Sequence, residues 1–246
     1  MGGVGGGPQL TRLVLRAADL ALGRVRIPKE VAKHARVARV APGEAVEVLN
    51  LQGTVGQGKL LAWNPDGSCE VAIKQLLHER GEPPFPLILG LAILHTEAFD
   101  WAVEKATELG VSVIVPIISA RVQGRRHHHR VARWQRVAEA ATAQCGRSRI
   151  PQILLPRPLM DFLADLRGLV VIADFAGGTR VTGGPDVQLG VTVLVGPEGG
   201  FTEEEREALQ RFGAKSIFLG PRTLRAETAA VVALGLVQNQ LGWWTR

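Results

Sequence analysis

Hydrophobic and polar positions divide the chain into two parts with different rhythms. From residue 10 to about 78, apolar and polar residues alternate over short runs, as in AVEVLNLQGTVGQGKLLAW, where three glycines interrupt the pattern. Alternation with a period of two predicts half-buried strands. The stretch KEVAKHARVARV in front predicts a short helix or a corner leading into a strand. The first part is therefore expected to form a small β-rich barrel.

The second part begins after HERGEPPFP, a polar and proline-rich run at 78–86 that predicts a linker. Continuous apolar runs follow, and such runs are typical of buried parallel strands. The predicted strands are LILGLAIL, VSVIVPII, LVVIAD, VTVLVG and SIFLG. Between them, FDWAVEKATELG and VARWQRVAEAATAQCG repeat apolar residues at helical spacing. Strands that alternate with helices predict an α/β domain with a mostly parallel sheet.

A glycine-rich turn follows one of these strands. In VLVGPEGGFTEEE, an apolar strand leads through Gly196–Gly200 into a helix. Thr202 and Glu205 have the spacing of a capping box, and Glu203 and Glu204 suit the first helical turn. Acidic side chains at a helix N-terminus repel phosphate. The turn is therefore expected to approach a neutral or cationic ligand closely with its backbone.

A second turn, in LGPRTLRAETAAVVALG, leads from the last strand into the last helix. From Ala226 onward this helix is apolar on nearly every face, which predicts deep burial. Arg225 and Glu227 are the charged residues at its start. Because a buried charge needs a partner, they either form an ion pair or act on a ligand. Both turns fall at carboxyl ends of strands, where parallel sheets bind ligands.

The charge distribution favours an anionic partner, above all nucleic acid. The 246 residues carry a net charge of +6, and eight arginines against one acid lie between Arg121 and Arg149. An ordinary solvated basic face is the alternative interpretation. No apolar run is long enough to span a bilayer and no signal peptide is recognisable, so we expect a cytoplasmic protein with reduced Cys69 and Cys145. The glycine-rich residues 1–9 predict a disordered tail.

The histidine triplet His127–His129 resembles a metal cluster, but consecutive residues cannot all face one ion. The triplet also lies in an arginine-rich run, and no Cys/His cluster has zinc spacing. No metal site is expected.

The two glycine turns, in this order and spacing, resemble the SPOUT class of S-adenosylmethionine-dependent RNA methyltransferases. Within that class the chain resembles the RsmE family, which methylates N3 of a uridine in 16S (small-subunit) ribosomal RNA. Further similar segments are EKATELGV (Glu104–Val111), AQCGRSRIP (Ala143–Pro151) and HARVARVAPGE (His34–Glu44). Departures from the usual family residues, at Ala143, Asp174 and the stretch from His95, concern the RNA side more than the cofactor.

The resemblance implies an α/β SPOUT methyltransferase domain with a C-terminal trefoil knot at 84–246, preceded by a PUA-like RNA-binding β-barrel at 10–80. It also implies a homodimer whose last helix lies at the interface. The residues expected to bind S-adenosylmethionine are Leu194, Gly196, Pro197, Glu198, Gly199, Gly200, Leu219, Gly220, Leu224, Arg225 and Thr228. The residues expected to bind RNA are Arg12, His34, Arg39, Arg121, Arg125, Arg126 and Arg147.

The expected function is methylation of uridine N3 in 16S rRNA, within the assembled small subunit. The target base must be unpaired or flipped out, and its N3 proton must be removed. Arg225 and Glu227 are the catalytic candidates, with Arg121 and Arg147 as further candidates by position; the base is not identified. Two alternatives stay open: another SPOUT methyltransferase acting on ribose or tRNA, and a non-catalytic RNA-binding ribosome-assembly factor.

Overall fold

The computed structural model of the chain describes residues 10–16, 18–122, 130–174, 178 and 180–245. These residues form two compact units, each with its own sheet. The first unit lies within Met1–Glu82 and Thr142–Ile150, and the second within Pro83–Ala141 and Pro151–Arg246. The domain ranges expected from the sequence placed the segment 142–150 with the second part. The tail predicted at residues 1–9 lies outside the described residues.

The first unit contains a five-stranded sheet and one helix. Its elements are β1 (Thr11–Val14), β2 (Gly23–Ile27), α1 (Lys29–Val37), β3 (Ala45–Leu49), β4 (Thr54–Trp63) and β5 (Cys69–His78). The strand order is β1-β3-β4-β5-β2, in which β1 runs parallel to β3 and the other neighbours are antiparallel. The helix and the alternating strands predicted from the sequence in this region are confirmed.

Gly58 occupies a close approach between two strands of this sheet. The pairing of β4 with β5 changes register between Gln57 and Gly58. A Cβ atom at Gly58 would lie 2.0 Å from the carbonyl oxygen of Ala72, so no side chain fits there. This glycine therefore marks a bulge inside one long strand.

A buried carboxylate organises the polar interior of the first unit. Glu47, on β3, is 1% exposed and accepts hydrogen bonds from Arg12 Nε at 3.2 Å, from Gln57 Nε2 at 2.9 Å and from Arg80. Burial raises the pKa of the Glu47 carboxyl, but the hydrogen bonds from Arg80, Gln57 and Arg12 outweigh burial and hold the pKa below its usual value. The ionised carboxylate is thus a built-in part of the fold.

The segment 142–150 of the first unit is held by ion pairs with the run that follows β5. Arg147 Nη2 lies 2.5 Å from Glu82 Oε2, and this pair is almost fully buried. Glu82 Oε1 also accepts the backbone amides of Ser148 and Arg149, while Arg149 pairs with Glu79 at 2.5 Å. The predicted linker at 78–86 therefore supplies carboxylates that fix a distant part of the chain.

The second unit is built on a parallel sheet with helices. Its elements are β6 (Leu87–Ala92), α2 (Thr96–Glu108), β7 (Val113–Ile118), the start of α3 (Val131–Cys145), β8 (Gln152–Ile153), β9 (Arg157–Pro158), α4 (Leu159–Asp165), β10 (Leu169–Asp174), α5 (Asp186–Leu189), β11 (Val191–Val195), α6 (Glu203–Arg211), β12 (Lys215–Phe218), α7 (Ala226–Gln240) and a 3-10 turn (Trp243–Thr245). The strand order is β12-β10-β11-β6-β7-β8, with β9 also paired to β7, and every pair is parallel. The α/β class with a parallel sheet is confirmed.

In the single chain, β12 and α7 are less buried than the sequence predicted. β12 lies at the edge of the sheet, so only Ile217 is buried there and Phe218 is 49% exposed. α7 buries one face, which includes Ala230, Leu234 and Val237, but its remaining apolar residues are only half-buried in the single chain. An apolar helix therefore presents a partly open apolar face.

The short elements β8, β9, α4 and α5 were not predicted, since none is long enough to show a periodic pattern. By contrast, the apolar face predicted for α3 packs as expected: Trp134 is fully buried and its ring centroid lies 4.3 Å from that of Phe99 on α2. Among the described residues, no helix has the length and apolar character required to cross a membrane.

Candidate functional site

A pocket lies where three neighbouring parallel strands, β10, β11 and β12, end at the same edge of the sheet. It contains about 650 Å³ of space, part of which is open to solvent. A cleft at the carboxyl ends of parallel strands is a common site for small-molecule ligands and cofactors. The lining residues are Ala173, Val195, Gly196, Pro197, Glu198, Gly200, Phe201, Arg206, Leu219, Gly220, Arg222, Leu224, Ala226 and Ala229.

The first wall is the turn Gly196–Gly200, which follows β11. The Gly200 amide donates to the Pro197 carbonyl at 2.7 Å, and Gly200 adopts a φ of 69°, which favours glycine. A Cβ atom at Gly196 would lie 3.3 Å from both the ring and the backbone nitrogen of Phe201. The turn is therefore tight, and its backbone is brought close to the pocket.

The helix after this turn begins with the predicted capping box, which is confirmed. Thr202 Oγ1 accepts the Glu205 amide at 3.3 Å, and Glu205 Oε2 accepts the Thr202 amide at 2.9 Å. Glu205 is buried, and its Oε1 also accepts the amide of Ala120 at 2.8 Å. The Glu204 backbone amide, then the Thr202 hydroxyl and nearby Arg121, hold the pKa of the Glu204 carboxyl below its usual value.

Replacing the cap tests its contribution directly. Thr202→Ala removes the acceptor for the Glu205 amide, and we expect the free energy of unfolding to fall by about 1 kcal/mol. Thr202→Ser keeps the hydroxyl and should lose much less. Urea denaturation of both variants measures the difference, and equal losses in the two would contradict the capping role of the hydroxyl.

The second wall is the turn after β12, from Leu219 to Leu224, together with the first turn of α7. Gly220 adopts a φ of 103°, a backbone conformation that residues other than glycine rarely adopt. Leu219, Leu224 and Ala229 give this side of the pocket an apolar surface. The loop thus depends on one glycine to present an apolar lining.

The pocket carries charges of both signs. Glu198 lies on the glycine turn, Arg206 on α6 and Arg222 on the second turn. The cofactor residues expected from the sequence included Glu198 and Arg225, but neither Arg206 nor Arg222. A ligand with positive and negative groups fits this arrangement better than a purely cationic ligand.

Comparisons with known proteins agree on one family. A family profile described as an RNA methyltransferase domain matches residues 81–238. Ribosomal RNA small subunit methyltransferase E of Aquifex aeolicus (strain VF5) is 32% identical over 214 residues, which are 84% of this chain and 90% of that protein. The chain belongs to the ribosomal RNA small subunit methyltransferase E family. The resemblance inferred from the two glycine turns is therefore confirmed.

Two further relatives have the same name as the Aquifex protein. The Mesomycoplasma hyopneumoniae (strain 232) protein is 33% identical over 171 residues, covering 68% of this chain and 75% of that protein. The crystal structure of the Neisseria gonorrhoeae protein bound to S-adenosyl methionine superposes with a TM-score of 0.81 at 28% identity. That match covers 94% of this chain and 98% of the Neisseria chain.

Most of the cofactor residues expected from the sequence line the pocket of this protein. Those that line it are Gly196, Pro197, Glu198, Gly200, Leu219, Gly220 and Leu224. Four others are not among the lining residues: Leu194, Gly199, Arg225 and Thr228. The pocket also includes residues that were not expected, namely Ala173, Val195, Phe201, Arg206, Arg222, Ala226 and Ala229. Ala226, Ala229 and Arg206 lie in the first helical turns that follow the two glycine loops. Their short distance from these loops in the sequence was the signal that could have identified them.

The two catalytic candidates of this family member lie at the start of α7. Arg225 precedes the helix and is exposed, so the expectation of a buried charge was wrong for this residue. Its neighbours Leu224 and Ala226 both line the pocket. Glu227 is half-buried in the first helical turn, where the helix dipole favours an acid. Within the described ranges, neither residue forms an ion pair.

The expected RNA-binding residues fall into two groups. Arg12 pairs with Glu47 and donates to the Gln144 carbonyl, and Arg147 is 4% exposed and pairs with Glu82. The buried position of Arg147 argues for a structural role and against direct contact with RNA. His34, Arg39 and Arg121 are exposed.

Arg125, Arg126 and the histidine triplet His127–His129 lie outside the described residues. In the part of the chain that the structure describes, no group of His, Cys, Asp and Glu side chains is arranged to hold a metal ion.

Proposed function

We propose that this protein methylates N3 of a specific uridine in 16S rRNA with S-adenosylmethionine as the methyl donor. The observation that carries the proposal is the pocket formed by two glycine turns at the ends of β10, β11 and β12. Relatives named ribosomal RNA small subunit methyltransferase E, one of them bound to S-adenosyl methionine, support the reaction and the donor. The choice of uridine N3 rests on the family resemblance of the two turns.

The residues present fit this donor. S-adenosylmethionine contains a flat adenine ring, a ribose with two hydroxyl groups, a carboxylate, an ammonium group and a sulfonium, and no phosphate. The pocket has apolar walls from Phe201, Leu219 and Leu224, and charged groups of both signs. The glycine turns bring backbone hydrogen-bonding groups close to a flat base.

Three charged residues are placed to orient the donor. We assign Arg206 and Arg222 to its carboxylate and Glu198 to its ammonium group, because opposite charges favour these pairings. When bound, S-adenosylmethionine supplies an electrophilic methyl group on the sulfonium. The protein's contribution is then mainly to align donor and acceptor.

Arg225 and Glu227 are the proposed groups that act on the uracil. The N3 proton must leave before or during transfer, and the resulting anion needs a nearby cation. Arg225 stands between two pocket-lining residues and is exposed, so a base flipped towards the pocket can reach its guanidinium. We assign Arg225 to stabilise the uracil anion and Glu227 to accept or relay the proton.

The first unit is the proposed RNA-binding part, in the manner of a PUA-like barrel. Its exposed basic residues include His34 and Arg39, and the Arg36 guanidinium lies 4.8 Å from the centroid of the Trp63 ring. A flat cation stacked on an aromatic ring is a surface suited to unpaired bases and phosphates. A ribosomal substrate places the proposed activity in the cytoplasm.

We further propose a homodimer and a C-terminal trefoil knot, as the family resemblance implies. The partly open apolar face of α7, which includes Val231, Val232 and Leu236, supports the dimer, because a second copy would cover it. Knots are rare in proteins. The knot is proposed from the resemblance of the two glycine turns alone.

The decisive experiment is a methylation assay with mapping of the product nucleoside. The purified protein is incubated with labelled S-adenosylmethionine and an RNA substrate from a strain that lacks this methylation. Two reactions run in parallel, one with assembled small ribosomal subunits and one with naked 16S rRNA. We expect label on uridine N3 of 16S rRNA, with assembled subunits as the better substrate. Nucleoside digestion and mass spectrometry identify the methylated position.

Each other outcome supports a different hypothesis. Label on a ribose or in tRNA would make the protein another kind of SPOUT methyltransferase. Binding to RNA with no measurable affinity for S-adenosylmethionine would leave a non-catalytic assembly factor. Either result would overturn the proposed reaction.

A further inference from the structure

The peptide group between Gly199 and Gly200 is held at both of its polar ends. The Arg121 guanidinium donates to the Gly199 carbonyl, and the Gly200 amide donates to the Pro197 carbonyl at 2.7 Å. In a planar trans peptide the carbonyl and the amide point in opposite directions. The two hydrogen bonds together therefore fix the plane of this peptide.

This fixation matters because the turn itself has little stiffness. Without these two hydrogen bonds the peptide between Gly199 and Gly200 would be free to rotate, because neither residue carries a side chain and glycine accesses both signs of φ. Gly199 is exposed and does not line the pocket, whereas Glu198 and Gly200 on either side of it do. Rotation of this peptide would move two pocket-lining residues at once.

The Arg121 side chain also covers the outer side of the turn. Its Cδ lies 3.3 Å from the position that a Cβ on Gly199 would occupy, so the aliphatic stem packs on the backbone. The preceding residue, Ala120, donates its amide to Glu205 Oε1 at 2.8 Å. Glu205 is itself fixed by the capping box of α6. The backbone next to Arg121 is therefore bound to the start of α6, and the Arg121 guanidinium is bound to the turn that leads into α6.

We propose that Arg121 is a positioning residue for the methyl-donor turn and acts on S-adenosylmethionine affinity through the Gly199 carbonyl. The proposal rests on the proposed function of the pocket. It gives Arg121 a role that does not require RNA, in contrast with the RNA contact expected from the basic segment. RNA contact alone is the competing outcome of the test.

Arg121→Met tests the proposal, since it keeps the aliphatic stem and removes the donors. A lost hydrogen bond from a charged donor predicts that S-adenosylmethionine affinity, measured by calorimetry without RNA, falls about 10-fold. Hydrogen exchange of the segment 196–202 in the ligand-free variant should become faster. In steady state, KM for S-adenosylmethionine should rise by a similar factor.

Arg136→Met is the matched control. Arg136 is an exposed arginine of the same basic segment, and its Nε donates to Ala132 of its own helix. This variant loses the same charge, so its change in RNA affinity measures the effect of charge alone. We expect its S-adenosylmethionine affinity and its exchange in 196–202 to match the wild type.

Two results separate the possible failures. If Arg121→Met binds S-adenosylmethionine as tightly as wild type and loses only RNA affinity, Arg121 is an RNA contact and the positioning role is wrong. If the wild-type protein does not bind S-adenosylmethionine at all, the proposed function fails first. Equal melting temperatures of the two variants and the wild type exclude a general loss of folding.

Discussion

Gly220→Val is expected to weaken S-adenosylmethionine binding about 100-fold or more while the protein stays folded. Gly220 lines the pocket with a φ of 103°, and a β-branched residue is strongly disfavoured there. Strain of this kind costs about 1–3 kcal/mol, and the turn will relax by moving Leu219 and Arg222 away from the ligand. Strain and lost contacts together predict that affinity falls about 100-fold or more, measurable by calorimetry.

Gly213→Val is the matched control for this prediction. Gly213 ends α6 with a φ of 86°, and a Cβ there would meet no atom within 4 Å, as at Gly220. The same substitution therefore imposes similar backbone strain outside the pocket. The control should lose stability and keep its affinity for S-adenosylmethionine. A comparable loss of affinity in both variants would mean that general destabilisation, and not the pocket wall, explains the effect.

The contrast between these two glycines shows what the sequence predicts well. Gly213 follows a capped amphipathic run, which is the position where a glycine commonly ends a helix. Gly220 was recognisable as part of a turn between a strand and a helix. The parallel sheet, the capping box and the position of both turns followed from local periodicity and spacing. These features depend on residues that are close together in the chain.

Features that depend on distant contacts were not predictable in the same way. Arg147 and Arg12 look like surface cations in the sequence, but Glu82 and Glu47 neutralise them across 65 and 35 residues. Arg206 looks like an ordinary residue of an acidic helix, yet the turn of the chain brings it to the pocket. β12 is exposed because it lies at the edge of the sheet, and the order of strands in a sheet cannot be predicted from the sequence of one strand. Charge in the sequence therefore indicated a basic protein, but not which arginines are free to meet RNA.

Glu47→Gln is expected to cause the largest loss of stability in the first unit. The substitution keeps the shape of the side chain and removes the charge that neutralises Arg12 and Arg80. Removing one partner of a buried ion pair typically costs about 3–5 kcal/mol. The arginine side chains are 21% and 29% exposed, so water can partly hydrate their unpaired guanidinium groups. We therefore expect the free energy of unfolding to fall by about 3 kcal/mol. Urea denaturation followed by circular dichroism measures the change.

Asp66→Asn provides the comparison for an exposed pair. Asp66 lies 2.5 Å from Arg26, but both side chains are more than half exposed, so water screens their attraction. Neutralising Asp66 should therefore cost far less than neutralising Glu47. If the two variants lose the same stability, burial of Glu47 does not determine the strength of its contacts.

The pH dependence of the Glu47 variant follows from the direction of the pKa shift. Folding holds the pKa of the Glu47 carboxyl below its usual value of 4.5, so folding favours the ionised form. The stability that this group contributes is fully present above pH 4.5 and is lost as pH falls through the lower folded pKa. The difference between wild type and Glu47→Gln should therefore be constant near neutral pH and shrink below pH 4.5. A difference that stays constant down to pH 2 would mean that the carboxylate charge does not stabilise the first unit, and that the variant fails by altered packing alone.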